Sequence, residues 1–332
     1  MMPISELVKV ARTIAEDGSS PLALRAAQGW GYDRVRFLRS SANHVFVCSS
    51  PGREAAVLRL RPDRVGVTER SRRVAELATR LGEVGAPSAA ALPSEDGELV
   101  VWVRDDQERY VASLFAGISG EQLEAESLTA KRARFWGRGL ALVHEAGSRL
   151  GELPQLPRWI DAVEEAARVV SDRELREVGK VIVGSLAELP SSRTVVGVVH
   201  GDPELDNVVW VADDTPVFVD LDEASWSWFA ADICFALRDF AKPAAGPDID
   251  LQAVASFIAG YRECRPLEDA ELAALSLLAR GHALITFARL QTVLSEPVSS
   301  DWPDWARALS TRLDGEAGKL RRALAAVTRH AL

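Results

Sequence analysis

The chain has 332 residues, 47% hydrophobic and 26% charged, a balance that supports a packed core and excludes disorder or a fibrous repeat over its length. Its 39 basic and 48 acidic residues give a formal net charge of −9, which argues against nonspecific binding to nucleic acid or an anionic membrane. No apolar run reaches the roughly 18 residues of a membrane span, the N-terminal stretch lacks a secretory apolar segment, and three scattered cysteines (Cys48, Cys234, Cys264) indicate buried thiols in a reducing cytoplasm.

A helical pattern over residues 5–16 leads into short apolar runs of strand character: Val35–Leu38, His44–Cys48, Ala55–Leu60, Leu99–Val103 and Tyr110–Phe115. Turn signals at Ser49-Ser50-Pro51-Gly52 and Ser94-Glu95-Asp96-Gly97 separate them. Between the third and fourth runs the spacing predicts a helix over Val67–Leu81, stopped by Gly82 and Gly85-Ala86-Pro87. That order makes an antiparallel sheet with one main helix against it. Beyond Gly117–Gly120 the pattern turns helical, first over Glu121–His144, then over Arg158–Val170 and Arg173–Leu189. Strands interrupt it at Thr194–Val199, Asn207–Val211 and Val217–Val219, and helices resume over residues 231–241, 251–263, 269–296 and 303–331. The expected organisation is α+β: a small sheet-containing lobe, residues 1–117, and a larger, mostly helical lobe, residues 118–332.

The strand interruption carries the chemistry. In Val199-His200-Gly201-Asp202-Pro203-Glu204-Leu205-Asp206-Asn207 and in Val219-Asp220-Leu221-Asp222-Glu223, acids follow directly on apolar strands, where backbone pairing fixes polar side chains in place. An Asp and an Asn five residues apart, followed thirteen residues later by another Asp, suit phosphoryl transfer from a nucleotide. One carboxylate takes the hydroxyl proton, while an amide oxygen and a second carboxylate hold Mg²⁺ on the phosphates. Hard oxygen donors without clustered His or Cys favour Mg²⁺ over zinc.

The H-G-D-x-x-x-x-N segment, then a strand and D-x-D, resembles the aminoglycoside phosphotransferase and choline kinase superfamily, relatives of the protein kinases. Asp220-Leu221-Asp222-Glu223-Ala224 through Trp228, with Ala231-Asp232-Ile233, is most similar to its homoserine kinase type II and stress response kinase branch. Weaker matches lie at Ser41-Ala42-Asn43, Val57-Leu58-Arg59-Leu60, Leu142-Val143-His144 and Gly260-Tyr261-Arg262. The resemblance implies a bilobal protein-kinase-like fold with ATP and Mg²⁺ as cofactors. The implied partner is a small hydroxylated acceptor: an amino alcohol, a hydroxy amino acid or an antibiotic. It implies Asp202 as catalytic base or hydroxyl-orienting group, Asn207 and Asp220 as Mg²⁺ ligands, and His200 as a brace for the loop. Asp222 is implied as a supporting or substrate contact. Arg59 stands where kinases place a phosphate-binding Lys, and its planar fork suits phosphate oxygens. Ser41 and Asn43 fall where a glycine-rich loop would cover the phosphates, although neither G-x-G-x-x-G nor a P-loop motif is present.

One position departs from the pattern. The family pairs the third-strand cation with a Glu on the following helix, and the register puts Val74 there, with Glu69 and Glu76 nearby. Two other classes compete: a nucleotide-binding pseudokinase and, since D-x-D after a strand also opens that family, a haloacid dehalogenase-type phosphatase. For His44, His144 and His282 a structural place is the expectation, and for Asp232 that of a helix N-terminal or loop-bracing acid. Trp226 and Trp228 are candidates for the acceptor side, as are Asp239, Asp248 and Asp250, with packing and a solvated acidic surface as their plainer readings.

Overall fold

The computed structural model describes residues 2–105, 108–151, 153, 155–238, 240 and 251–326. Six strands form one antiparallel sheet: β1 (Arg34–Ser40), β2 (His44–Ser49), β3 (Ala56–Pro62), β4 (Ala91–Leu92), β5 (Val101–Arg104) and β6 (Arg109–Ala116). Their order is β1-β2-β3-β6-β4, with β5 also on β6. The strands alternate, so each residue type chooses a face. Phe46, Leu58, Leu60, Tyr110, Ala112 and Leu114 pack with Trp30 and the helix α2 (Pro21–Ala27). Burying such side chains stabilises by about 1.5–3 kcal/mol each. The alternate residues of β3, Arg59 and Arg61, therefore leave the opposite face. On that side the helix α3 (Val67–Glu83) buries Val74, Leu77, Ala78 and Leu81 beside Phe115.

The rest of the described chain is mainly helical: α4 (Ala130–Leu150), α5 (Trp159–Val169), α6 (Arg173–Ala187), α7 (Phe229–Ala236), α8 (Leu251–Arg262), α9 (Asp269–Ala273), α10 (Leu275–Leu294) and α11 (Asp304–Ala326). Helices α4 and α8 cross closely because Gly137 and Gly260 meet at the contact; a Cβ on either would overlap the facing backbone. Two two-stranded antiparallel sheets lie against this bundle, the second of them a hairpin. One pairs β7 (Val196–Val199) with β10 (Ser225–Trp228), the other β8 (Val208–Val211) with β9 (Thr215–Phe218). Val208, Trp210 and Phe218 join the α4–α8 core, fixing the second hairpin rigidly. No described helix is long and apolar enough to cross a membrane.

Several element boundaries differ from the expectation. The N-terminal helix α1 (Ile4–Ala11) stops early, and α2 follows it, opened by Pro21 and capped by Ser20, which accepts from the Ala23 N–H. The helix expected from Glu121 begins nine residues later, at Ala130, because Thr129 caps it by accepting from the Arg132 N–H. The helix over residues 269–296 is two helices, α9 and α10. Strands β4 and β10 carried no prior signal. Asp239, Asp248 and Asp250 lie outside the described residues.

Three buried imidazoles and the half-buried His282 give the fold an acid limit. Burial pushes His44 and His282 down to about 4, and desolvation also lowers His144 and His200. Below pH 6.5 the unfolded chain therefore binds protons that the folded chain refuses. Their stability contribution is complete above that pH and is lost as pH falls towards 4. For His44 and His282 together the loss is about 3 kcal/mol per pH unit. Asp202, raised to about 7, and Glu271, also raised by burial, work with the opposite sign. Urea unfolding at pH 7.5, 6.0 and 5.0 should show a steadily falling midpoint; a constant midpoint contradicts neutral buried histidines.

Candidate active site

Strand β7 ends at Val199 and delivers His200, Gly201 and Asp202 to the cleft. Asp232, buried in the first turn of α7, organises the turn: Oδ2 accepts from the His200 N–H (2.7 Å) and Oδ1 from the Gly201 N–H (2.8 Å). Oδ2 also meets His144 Nε2 at 2.9 Å, and His144 Nδ1 lies 2.8 Å from the Tyr261 hydroxyl. Neutral His144 thus donates from Nε2 and accepts at Nδ1. Gly201 has φ +86°, and a Cβ there would overlap the Glu223 carbonyl. No other residue fits that turn. His200 Nε2 donates to the Val219 carbonyl (3.0 Å), while its Nδ1 accepts from the Asp202 N–H (3.3 Å). His200 therefore ties the Asp202 loop to the strand that ends in Asp220.

Asp202 Oδ2 and its carbonyl both accept from Asn207 Nδ2, at 3.2 and 2.9 Å, and Oδ1 pairs with Arg238 at 3.1 Å. Burial raises its carboxyl to about 7; Arg238 opposes the rise, and Glu204, Asp220 and Glu223 reinforce it. Arg238 also pairs with Glu204. On the other side Glu223 packs over Gly201 and pairs with Arg289 (2.7 Å) and Arg70 (3.0 Å).

Asn207 and Asp220 sit at the open end of the β8–β9 hairpin, where the Val219 N–H donates to the Asn207 carbonyl at 2.9 Å. Asn207 spends its amide N–H₂ on Asp202, which leaves Oδ1 as the atom for a cation. Asp220 adopts left-handed backbone, φ +70°, a costly conformation for a non-glycine residue and one that recurs at functional sites. Its carboxylate faces Arg59 at 2.5 Å and Arg39 at 3.7 Å. No group of three or more His, Cys, Asp or Glu side chains among the described residues is placed to hold a metal. An amide oxygen and one carboxylate nevertheless fit Mg²⁺, which keeps most of its shell for waters and substrate phosphates.

Arg59 is buried, with its guanidinium 5.0 Å from the Phe115 ring centroid and its second nitrogen 2.9 Å from Asp222. Among the described residues no glutamate of α3 pairs with it: Val74 is in the core, and Glu69 pairs with Arg72 on the surface. Asn43 is buried and donates to Asp222 at 2.7 Å, whereas Ser41 is exposed in the β1–β2 turn and is not drawn into this cluster. Between the lobes lies a cavity of about 370 Å³, lined by Val45, Ala56, Phe115, Val209 and Val219 and by the 117–120 connection, with Arg59 and Asp220 at one end. A flat apolar ring with a polyanionic tail suits that division. Trp226 and Trp228 serve packing: Trp226 lies against the core under α3, and Trp228 stacks edge-on with Trp159 and donates to the Pro190 carbonyl. Arg61, Arg70, Glu204, Glu223, Arg238 and Arg289 were not singled out from the sequence. Only Glu204 and Glu223 adjoin a motif; the arginines sit on other elements and carry no local signal.

A sheet lobe over a helical lobe, an apolar cleft and two acidic loops at its polar end define a kinase, an enzyme that phosphorylates a hydroxyl group. The chain belongs to the phosphotransferase enzyme family, which matches residues 34–267. It is 29% identical over 232 residues to the homoserine kinase of Agrobacterium fabrum (strain C58), an alignment covering 68% of this chain and 70% of that one. A homoserine kinase of Caulobacter sp. (strain K31) is likewise 29% identical over 228 residues, covering 64% and 66%. The chain thus spans about two thirds of the length of these relatives. Among solved structures, an amicoumacin kinase in complex with AMP-PNP, Ca²⁺ and Ami superimposes with a TM-score of 0.76 at 16% identity, covering 92% of each chain. A microcompartment-associated aminopropanol kinase gives 0.64 at 21% identity, covering 92% of this chain and 97% of that one. The phosphatase alternative is set aside by this family membership.

Proposed function

We propose that the chain transfers the γ-phosphate of ATP, with Mg²⁺, to the hydroxyl of a small hydroxy amino acid, the class to which homoserine, named for the relatives, belongs. The observation that carries this reading is the pair of ion pairs flanking Asp202: Arg238–Glu204 on one side and Arg289–Glu223 on the other. Two guanidiniums and two carboxylates beside the Asp202 turn complement a molecule bearing both a carboxylate and an ammonium. A singly cationic amino alcohol offers no carboxylate to either guanidinium.

In this reading the cavity takes the base and ribose, and Arg59 grips the phosphates. Asn43 and Ser41 lie in the turn above them. Asp202 orients the acceptor hydroxyl and accepts its proton as the oxygen attacks in line. Asn207 Oδ1 and Asp220 would hold Mg²⁺, whose chemistry there is to neutralise phosphate charge.

The test is ADP release with ATP and Mg²⁺ across homoserine, serine, threonine, aminopropanol, choline and aminoglycosides. A hydroxy amino acid should stimulate release, and the amino alcohol lacking its carboxylate should fall by about tenfold or more in kcat/KM. Equal or greater stimulation by amino alcohols or aminoglycosides overturns the zwitterionic acceptor. Nucleotide binding without release on any acceptor favours the pseudokinase.

A further inference from the structure

Arg59 needs a fixed carboxylate, because a buried guanidinium without one is strongly disfavoured. Helix α3 does not supply it. The side chain that α3 turns toward the acidic loop is Arg70, whose Nη2 donates to the Asp222 carbonyl at 2.8 Å and to Glu223 at 3.0 Å. Arg59 instead divides its fork between Asp220, 2.5 Å from Nη2, and Asp222, 2.9 Å from Nη1.

The two aspartates are held differently. Among the described residues the Asp220 carboxylate pairs with Arg59 and Arg39, and it is the carboxylate assigned above to the metal. Asp222 is fixed on several sides: Oδ2 accepts from Asn43 at 2.7 Å and faces Arg61 at 3.8 Å, and its carbonyl is tied to α3 through Arg70. Arg39, Arg59, Arg61, Arg70 and Arg289 surround Asp220, Asp222 and Glu223, so the acids of this cluster are paired without a glutamate from α3.

We propose that Asp222 is the positioning residue for Arg59, taking the place of the absent α3 glutamate; this rests on the reading of Arg59 as the phosphate-binding cation. Asp222 keeps its hold on Nη1 when Asp220 turns to a metal ion. The phosphate-binding cation is thereby registered to the D-x-D loop of the helical lobe rather than to α3.

The test is calorimetric binding of AMP-PNP to the full chain in EDTA and again in Mg²⁺. In EDTA, Asp222→Asn and Arg59→Ala should each weaken binding by about tenfold, and the double variant should be no weaker than Arg59→Ala alone. Glu69→Gln and Glu76→Gln should bind as wild type. If Asp222→Asn does not fold, Arg61→Gln, which loosens Asp222, should weaken binding by about threefold and lose that effect in the Arg59→Ala background. Additive weakening in the double variant overturns the proposal, and so does an effect confined to Mg²⁺, which would make Asp222 a metal ligand. Tighter binding by Asp222→Asn, meaning that Asp222 competes with phosphate for Arg59, overturns it too. Wild-type affinity in Arg59→Ala would instead remove Arg59 from the phosphate site, and the proposal with it.

Discussion

Asp202→Asn should lower kcat by about 10²–10⁴-fold while AMP-PNP binding stays within about threefold of wild type. The amide keeps the size of the carboxylate and loses the basic oxygen, so only the proton-accepting role is removed. The surroundings tolerate the change: Arg238 retains Glu204, and Asn207 Nδ2 retains the Asp202 carbonyl at 2.9 Å. Burial already disfavours the charged carboxyl at this position, so the neutral amide should leave the unfolding midpoint unchanged or slightly raised. Loss of turnover with intact binding and stability separates a chemical role from a structural one. A variant with wild-type kcat would remove Asp202 from the reaction.

The two loops that carry the candidate residues were legible because the strands announce themselves and the motifs follow directly on them. Val198-Val199 and Val217-Phe218-Val219 are apolar runs that end in His200 and Asp220, and position along the chain was enough to bring the two loops together. The face of Arg59 was equally local, since Leu58 and Leu60 belong to the core and period two sends Arg59 the other way. The partner of Arg59 was not local. Asp222 is 163 residues away, and its approach depends on how the two lobes close. A search of the following helix finds Val74, whose burial beside Leu77 and Leu81 is a packing requirement. The same holds for the flanks of Asp202: Arg238 follows α7 and Arg289 lies on α10, and nothing in their neighbours distinguishes them from other surface arginines. Helix boundaries failed for a different reason. Leu123 and Leu128 continue the apolar spacing of α4, but they pack from an irregular segment, and the cap at Thr129 sets the start.

Asp232 should prove the most costly single position in the helical lobe. Its carboxylate accepts three hydrogen bonds in a site sealed from solvent, two of them from consecutive backbone N–H groups that have no alternative partner in the turn. Asp232→Ala leaves both N–H groups and His144 Nε2 buried and unpaired, and should destabilise the chain by about 3–5 kcal/mol. Asp232→Asn is the sharper variant, because an amide presents an N–H₂ to a backbone or imidazole donor wherever it replaces an accepting oxygen. One of the three bonds must become a repulsion, and the turn carrying Asp202 must shift to relieve it. Displacement of a catalytic group by about 1 Å is enough to lower turnover by about 10²-fold. Asp232→Asn should therefore lose both stability and kcat, whereas Asp202→Asn loses kcat alone. Urea unfolding and single-turnover phosphorylation on the two variants read that contrast directly. Wild-type stability and turnover in Asp232→Asn would mean that the His200-Gly201-Asp202 turn is held by Trp136, whose indole N–H reaches the Pro203 carbonyl at 3.2 Å, and by the Glu223 contact, rather than by α7.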